Sequence, residues 1–306
     1  MKKLNICLVG FGRFGKIYFN EILKNKKINH ILILKKNKFQ NKPQEYKNIK
    51  FAQISKKLSL DNIQYGIIAT PVLEHYDNAS MFLKKKIPII LEKPVSDKLS
   101  NIEKLNVISQ KKKISVIVNY SDLYNDYFKY LLRNRHRLGK IVKIEMFFQG
   151  RLNIYNNSLP ILDYVPHFFA IANKIINTNG SFNLIRNQIT KKNDCIYQNI
   201  IFTLTNKKNQ IIKFNYSNKS SNKKKRQIII FGKKGMFKYD AYENNKNFIK
   251  IKKKVLINNI LNKKINTPIQ NILNRLHYLV VKKKFYNDLP LSIKIQKMTN
   301  KLIEKF

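Results

Sequence analysis

Residues 5–15 read Asn5-Ile6-Cys7-Leu8-Val9-Gly10-Phe11-Gly12-Arg13-Phe14-Gly15, and this stretch decides the fold. An apolar run that ends at Val9 meets three glycines spaced Gly-x-Gly-x-x-Gly. A helical pattern follows from Lys16 to Leu23, with Ile17, Ile22 and Leu23 on neighbouring faces. A second apolar run, Asn29 to Leu34, completes a strand–helix–strand unit. In that context each glycine has a use. Gly10 permits the tight turn, Gly12 lets bare backbone approach a pyrophosphate, and Gly15 lets helix and strand pack closely. The helix start adds unpaired N–H groups and the positive end of a dipole. A ligand-free glycine turn has the same spacing, but the strand before and the helix after point to dinucleotide binding through residues 10–15.

Working outward, the alternation continues. Strands are predicted at Gln64–Ala69, Ile87–Leu91 and Ile114–Val118, and helices at His75–Lys84 and Asn101–Gln110. Near-continuous Ile/Val/Leu strands between amphipathic helices imply a doubly wound parallel sheet covered on both faces, so residues 1–120 are read as an α/β domain. After a helical connector, Leu123–Arg133, the texture changes. Ile141–Gln149 alternates, and a helix is expected over Asp163–Ile176. Strand runs then follow in series at Ile185–Thr190, Cys195–Thr205, Gln210–Ser217, Gln227–Phe231 and Gly235–Tyr239. Serial strands imply a mainly antiparallel open sheet, so residues 121–306 are read as an α+β domain, closed by helices at Ile269–Lys282 and Ser292–Lys305.

The composition narrows the function classes. With 306 residues, 43% of them hydrophobic, the chain suits two globular domains. No apolar run approaches the roughly 20 residues that span a bilayer, and no targeting segment is read at Met1-Lys2-Lys3, so no membrane role is expected. Cys7 and Cys195 are far apart and have no metal-type spacing, which favours a reducing cytoplasm and no metal centre. The net charge of +44 would attract polyanions, yet only 8 of the 61 basic residues are Arg, the residue favoured for bidentate phosphate and base recognition. The lysines are spread along the whole chain amid abundant Asn and Ile. That pattern reads as compositional drift, with no specific nucleic-acid partner.

Four further segments carry candidate chemistry. After the second strand, where an acid would pair with the ribose hydroxyls of NAD, the chain has Lys35-Lys36-Asn37-Lys38. Cations there favour a 2′-phosphate, and so NADP slightly over NAD, although an ordinary basic loop would look the same. Ala69-Thr70-Pro71 and His75 sit at a strand's C-terminal end, where ligands of open α/β sheets collect. His75 also suits a hydrogen-bonding role at a helix start. Glu92-Lys93-Pro94 is at the next strand end, where Lys93 could stabilise developing alkoxide charge and Pro94 fix the loop through a cis bond. Asp163-Tyr-Val-Pro-His167 would cap a helix with Asp163 and bring His167 to the same face, an arrangement suited to exchanging a hydroxyl proton. A capping Asp beside a core-edge His fits the same spacing.

In this order the elements resemble the Gfo/Idh/MocA family, which includes glucose–fructose oxidoreductase and inositol dehydrogenase. The resemblance rests on Gly10–Gly15, Ala69-Thr70-Pro71 with His75, Glu92-Lys93-Pro94, Leu138-Gly-Lys-Ile141 and Phe231-Gly-x-x-Gly235-Met-Phe. It implies a Rossmann domain followed by an α+β domain whose open sheet often forms a homo-oligomer interface. It also implies hydride transfer at a CH–OH carbon of a sugar, cyclitol or nucleotide sugar held at a domain cleft. By position, Lys93 would stabilise the substrate oxygen, His167 would donate and accept the proton, and Asp163 would support His167. Glu92 and His75 fall in cofactor-side motifs. Three departures stand out. Phe168 replaces a family Asp, Asn119-Tyr-Ser-Asp-Leu123 lacks an Arg, and Tyr18 replaces a His. The first of these leaves open an alternative, a non-catalytic dinucleotide-binding sensor or scaffold.

Overall fold

The computed structural model describes residues 3–36, 48–54, 59–150, 159–192, 195–219, 224–243, 247–252, 254–257 and 265–306. It divides into two compact units, Met1–Ser121 with Thr267–Lys294, and Asp122–Asn266 with Ile295–Phe306.

The first unit is built on six parallel strands: β1 (Leu4–Val9), β2 (Ile28–Lys35), β3 (Ile49–Gln53), β4 (Tyr65–Ile68), β5 (Ile89–Leu91) and β6 (Val116–Val118). Their order is β3-β2-β1-β4-β5-β6. The sequence direction therefore reverses at β1, whose neighbours are β2 and β4, the switch point at which such sheets bind ligands. Helices α1 (Arg13–Leu23), α2 (Val72–Lys84) and α3 (Leu99–Lys112) make the crossovers. Every residue of β4, β5 and β6 is buried, as expected of strands covered on both faces. Of these six strands, β3 had no counterpart in the sequence reading, as was also true of the strands at Phe248–Ile251 and Lys254–Ile257 in the second unit. β3 is a half-buried edge strand, which needs less apolar sequence than the centre of the sheet.

The C-terminal stretch corrects the expected boundary. Residues 267–294 were read as part of the second domain, but they pack with the first unit. The reason lies in β6, the sheet's free edge. Val116 N–H donates to the Tyr286 carbonyl at 2.9 Å, and Asp288 N–H donates to the Val116 carbonyl at 3.0 Å. Val118 N–H donates to Asp288 Oδ2 at 3.1 Å, and Tyr286 Oη–H braces Oδ1 at 2.7 Å. The segment thus satisfies backbone groups that an edge would leave open. It follows α6 (Pro268–Val281), which starts at a Thr267/Gln270 capping box with Pro268 in the first turn. In α7 (Leu289–Ile303) the division between units falls at Lys294.

The second unit holds an eight-stranded sheet: β7 (Ile141–Gln149), β8 (Gly180–Lys192), β9 (Cys195–Asn206), β10 (Ile211–Ser217), β11 (Lys225–Gly232), β12 (Gly235–Asp240), β13 (Phe248–Ile251) and β14 (Lys254–Ile257). The order is β14-β13-β12-β11-β7-β10-β9-β8, antiparallel except for the β7–β10 pair. The hairpins predicted around Asn206–Asn209 and Gly232–Gly235 both form. Ile144, Met146, Phe148, Phe202, Leu204, Ile212, Phe214, Ile228 and Ile230 line its buried face, in strict alternation with less buried neighbours. Helix α5 (Val165–Ile175) supplies Phe168 and Phe169, whose rings pack 5.5–5.6 Å from Phe214. Before it, α4 (Asp126–Asn134) is capped by Asn125, whose Oδ1 accepts from the Tyr127 and Phe128 N–H groups.

Candidate active site

The glycine turn of the first unit is shaped by contacts that leave its outer side bare. Gly10 has φ +93°, and a Cβ there would lie 2.5 Å from the Ala69 carbonyl oxygen. A Cβ on Gly15 would lie 2.9 Å from the Gly10 carbonyl carbon and closer still to its oxygen. These two glycines are demanded by the protein's own packing. Gly12 differs. It is exposed, and a Cβ on it would meet nothing within 4 Å. It is also the N-cap of α1 and offers no side-chain cap. The first-turn N–H groups of Arg13, Phe14 and Gly15 have no carbonyl a turn earlier to pair with, so they are open to an anion. A dinucleotide pyrophosphate fits this turn by the chemistry of its donors and by the room over Gly12.

The other predicted cofactor-side residues divide into those facing outward and those holding the frame. Arg13 and Phe14 are exposed, with the Arg13 guanidinium 6.0 Å from the Phe14 ring centre. Phe11 turns inward, edge-on to Phe19 at 5.3 Å and to Phe51 at 6.1 Å. Lys35 ends β2. The exposed Lys36 after it lies 3.4 Å from Glu74 in the first turn of α2, so its charge is partly answered. Asn37 and Lys38 lie outside the described residues. Ala69 is buried, Thr70 is half-buried, and Pro71 is the exposed N-cap of α2.

His75 and Glu92, expected among the cofactor-side residues, are tied into the strand-end loops by hydrogen bonds. His75 is 2% exposed, with Nδ1 2.8 Å from the Pro94 carbonyl and Nε2 2.8 Å from the Thr70 carbonyl. The ring lies between two strand-end loops, and in its neutral form its single N–H donates to one of these carbonyls at a time. Burial lowers its pKa, and the two carbonyls partly offset that. Glu92 is equally enclosed. Its Oε1 accepts from Tyr18 Oη–H at 3.0 Å and from Asn119 Nδ2–H, and its Oε2 accepts from Lys93 N–H at 3.3 Å. Burial raises its pKa, against the pull of these donors and of the Lys93 charge. Tyr18, the residue that departs from the family pattern, is therefore the link from α1 to this carboxyl. Lys93 is half-buried at the end of β5, and the peptide bond from it to Pro94 is cis.

In the second unit, His167 lies in the first turn of α5 and is 9% exposed. The expectation that Asp163 caps this helix needs correcting. The N-cap is Tyr164, without a side-chain cap bond, and the exposed Asp163 ends a 3-10 turn, Pro160–Asp163. Pro160 and Pro166 impose two separate starts, and the helix begins after the aspartate has been passed. A carboxylate from outside this segment, Asp122, also comes into ion-pair range of His167, with Oδ2 3.8 Å from Nδ1. Asp122 is 4% exposed. It is held by Arg226 Nη2 at the same Oδ2 and by Tyr239 Oη–H at Oδ1, 3.4 Å away. Burial by itself would lower the Arg226 pKa, but the Asp122 carboxylate reverses this and holds the guanidinium charged above its ordinary value. Burial, then Asp122, pushes the Tyr239 phenol up, so it stays a donor. Phe168, in place of the family Asp, is turned onto Phe214 and away from polar chemistry.

Sequence reasoning missed Asp122, Arg226 and Tyr239, although one signal was available. Arg226 falls in period with Ile228 and Ile230, and Tyr239 with Phe237, so both strands aim them at the buried face. An inward Arg requires a buried carboxylate.

Comparison with known proteins bears on the whole chain. Residues 4–120 match the model of GFO_IDH_MocA, an oxidoreductase family with an NAD-binding Rossmann fold. No curated protein matches the chain in sequence. Among solved structures, a protein of Magnetospirillum magnetotacticum MS-1 assigned as an oxidoreductase superposes with a TM-score of 0.80 at 15% identity, covering 98% of this chain and 99% of its own. A myo-inositol dehydrogenase from Corynebacterium glutamicum ATCC 13032 gives 0.76 at 13%, covering 96% and 95%. Biliverdin reductase from Synechocystis sp. PCC 6803, in complex with biliverdin and NADP+, gives 0.71 at 12%, covering 96% of each. At these identities the likeness establishes the fold.

Proposed function

We propose that this chain, whose residues 4–120 match the model of the Gfo/Idh/MocA oxidoreductase family, oxidises or reduces a CH–OH carbon of a sugar, cyclitol or nucleotide sugar with NADP or NAD. One observation carries the cofactor half of this reading. Gly12 is exposed at an uncapped helix start with nothing within 4 Å of where its Cβ would be, while Gly10 and Gly15 are packed tight. Backbone N–H groups of the α1 first turn would hold the pyrophosphate, and Thr70, Pro71 and Lys36 border the same strand ends. When bound, the nicotinamide supplies the hydride acceptor or donor.

The chain's own residues supply the rest. The Lys93 ammonium would stabilise charge developing on the reacting oxygen, a contribution on the order of 10²–10³ in kcat. His167 would take up and return the hydroxyl proton, worth about 10²–10⁴. Asp163, exposed one turn before His167, is retained as a hydrogen-bonding partner for a second substrate hydroxyl. The basic composition favours the diphosphate of a nucleotide sugar. No described helix is long and apolar enough to cross a membrane. We place the enzyme in the cytoplasm as a homo-oligomer associating through the open sheet of the second unit.

The test is a turnover screen, followed by nicotinamide absorbance, over sugars, cyclitols and nucleotide sugars, with biliverdin as a chemically distant control. The reading expects at least one hydroxylic substrate, with Lys93→Ala and His167→Ala abolishing turnover while each still binds cofactor. Turnover of the tetrapyrrole alone, or loss-free behaviour of both variants, contradicts it.

A further inference from the structure

The cluster around Asp122 is a large investment for one ion pair. A carboxylate, a guanidinium and a phenol converge from a 3-10 turn (Ser121–Tyr124), from β11 and from β12, and Asp122 is 4% exposed. Desolvating such charges is costly, and a surface position for Arg226 would avoid that cost. The arrangement also has a direction. Arg226 and Tyr239 hold Asp122 in place through both of its oxygens. The same Oδ2 that takes Arg226 points to His167 Nδ1, 3.8 Å away, which is ion-pair range but longer than a hydrogen bond. The backbone N–H of His167 donates to the Tyr164 carbonyl at 3.0 Å, which fixes the main chain that carries the ring.

We propose that Asp122, clamped by Arg226 and Tyr239, is the positioning residue for His167, fixing the imidazole through Nδ1 so that proton exchange with the substrate hydroxyl takes place at Nε2. This rests on the reading of His167 as the acid/base group. It assigns the carboxylate partner to the segment that leaves the first unit, with Asp163 left to the substrate side. A carboxylate that draws closer when the imidazole is charged stabilises the proton-bearing state and selects one tautomer of the neutral ring. Because Arg226 balances Asp122, the field at His167 is that of an oriented pair whose negative end is the nearer one. The clamp thereby tempers the shift that a lone carboxylate would cause.

That balance gives a test with opposite signs. Asp122→Asn removes the negative end and leaves the Arg226 charge, so the midpoint of His167 falls, by about one pH unit. Arg226→Met leaves an uncompensated carboxylate, so the midpoint rises by a similar amount. Among the described residues, the titratable Asp163, Tyr164 and Tyr216 at this end of α5 and on β10 are the same in every variant, and burial keeps Tyr216 protonated throughout. The readout is an imidazole NMR titration of the full chain. It has five histidines, and His167 is identified as the signal missing in His167→Gln.

Opposite displacements support the assignment; a midpoint unmoved in both variants, or moved the same way in both, overturns it. Should a single variant not fold, Asp122→Asn/Arg226→Met strands no charge. A midpoint below wild type in this pair supports the assignment, and an unchanged one overturns it. Turnover separates this inference from the functional reading. If the NMR midpoints move as stated and the pH profile of kcat/KM does not follow, the clamp stands and His167 is not the acid/base group.

Discussion

Gly12→Ala is the substitution on which the cofactor argument can be measured most cleanly, because the structure predicts a loss of binding without a loss of fold. The added Cβ meets no atom within 4 Å, and the backbone there, φ −77° and ψ −158°, is one that Ala adopts. Two stability terms remain. Less freedom in the unfolded chain favours Ala by about 0.4–1 kcal/mol, and the weaker helix N-cap disfavours it by up to about 1 kcal/mol. They oppose each other, so the Tm should stay within about 3 °C of wild type. The methyl group occupies the room through which a pyrophosphate approaches bare backbone. Affinity for NADH and NADPH should therefore fall at least tenfold, about 1.4 kcal/mol. Gly15→Ala is the counter-case. Its Cβ would overlap the Gly10 carbonyl, and it should lose about 1–3 kcal/mol of stability as well as binding. Thermal denaturation and cofactor fluorescence titration on the three proteins suffice. Wild-type affinity in a folded Gly12→Ala would refute the reasoning, since nothing could then be sitting on that turn.

Glu92 gives a prediction in pH. Its carboxyl pKa is raised in the fold, so its contribution is fully present below the unfolded value, near pH 4.3, and is lost as pH rises through the folded value. Glu92→Gln should therefore gain on wild type in Tm as pH is raised from acid to neutral. A Tm difference that is flat with pH would show that the carboxyl is not held in its neutral form. Asp288→Ala removes the acceptor for Val118 N–H and Tyr286 Oη–H at a site 3% exposed. It should cost about 1–3 kcal/mol in thermal or urea unfolding, whereas an unchanged midpoint would contradict the bracing of β6 by residues 286–288. Glu74→Gln releases Lys36 from an exposed pair worth below about 1 kcal/mol. The ratio of NADPH to NADH affinity should then rise by up to about fivefold. A ratio that stays put would mean that Lys36 is remote from the 2′-phosphate.

The fold was largely legible because its cause is local. Val9, Gly10, Gly12 and Gly15 specify a strand, a turn and a helix within eleven residues, and the later apolar strands repeat the same unit. The serial hairpins of the second sheet announced themselves through Asn206–Asn209 and Gly232–Gly235. What stayed hidden depends on distance along the chain. Residues 286–288 are short and polar, and nothing in their own sequence says that they complete the edge of β6 roughly 170 positions away. His75 admitted both a cofactor-side and a hydrogen-bonding reading, because sequence shows its type and place but not the Pro94 and Thr70 carbonyls that lie beside its ring nitrogens. The site in the second unit divided along the same line. His167 was found from its neighbours, and Asp163 was chosen as its support because it is four residues away. Asp122 and Arg226, separated by 104 positions, meet only in three dimensions. The inward period of Arg226 on β11 was the one trace of them in the sequence.

Calorimetric titration of the purified, folded chain with NADH and NADPH most directly tests the claim that the glycine turn of the first unit holds a nicotinamide dinucleotide. The account predicts saturable binding of at least one of them at one site per chain, weakened in Gly12→Ala. Absence of heat from both cofactors, in a protein whose unfolding transition shows it intact, would contradict it.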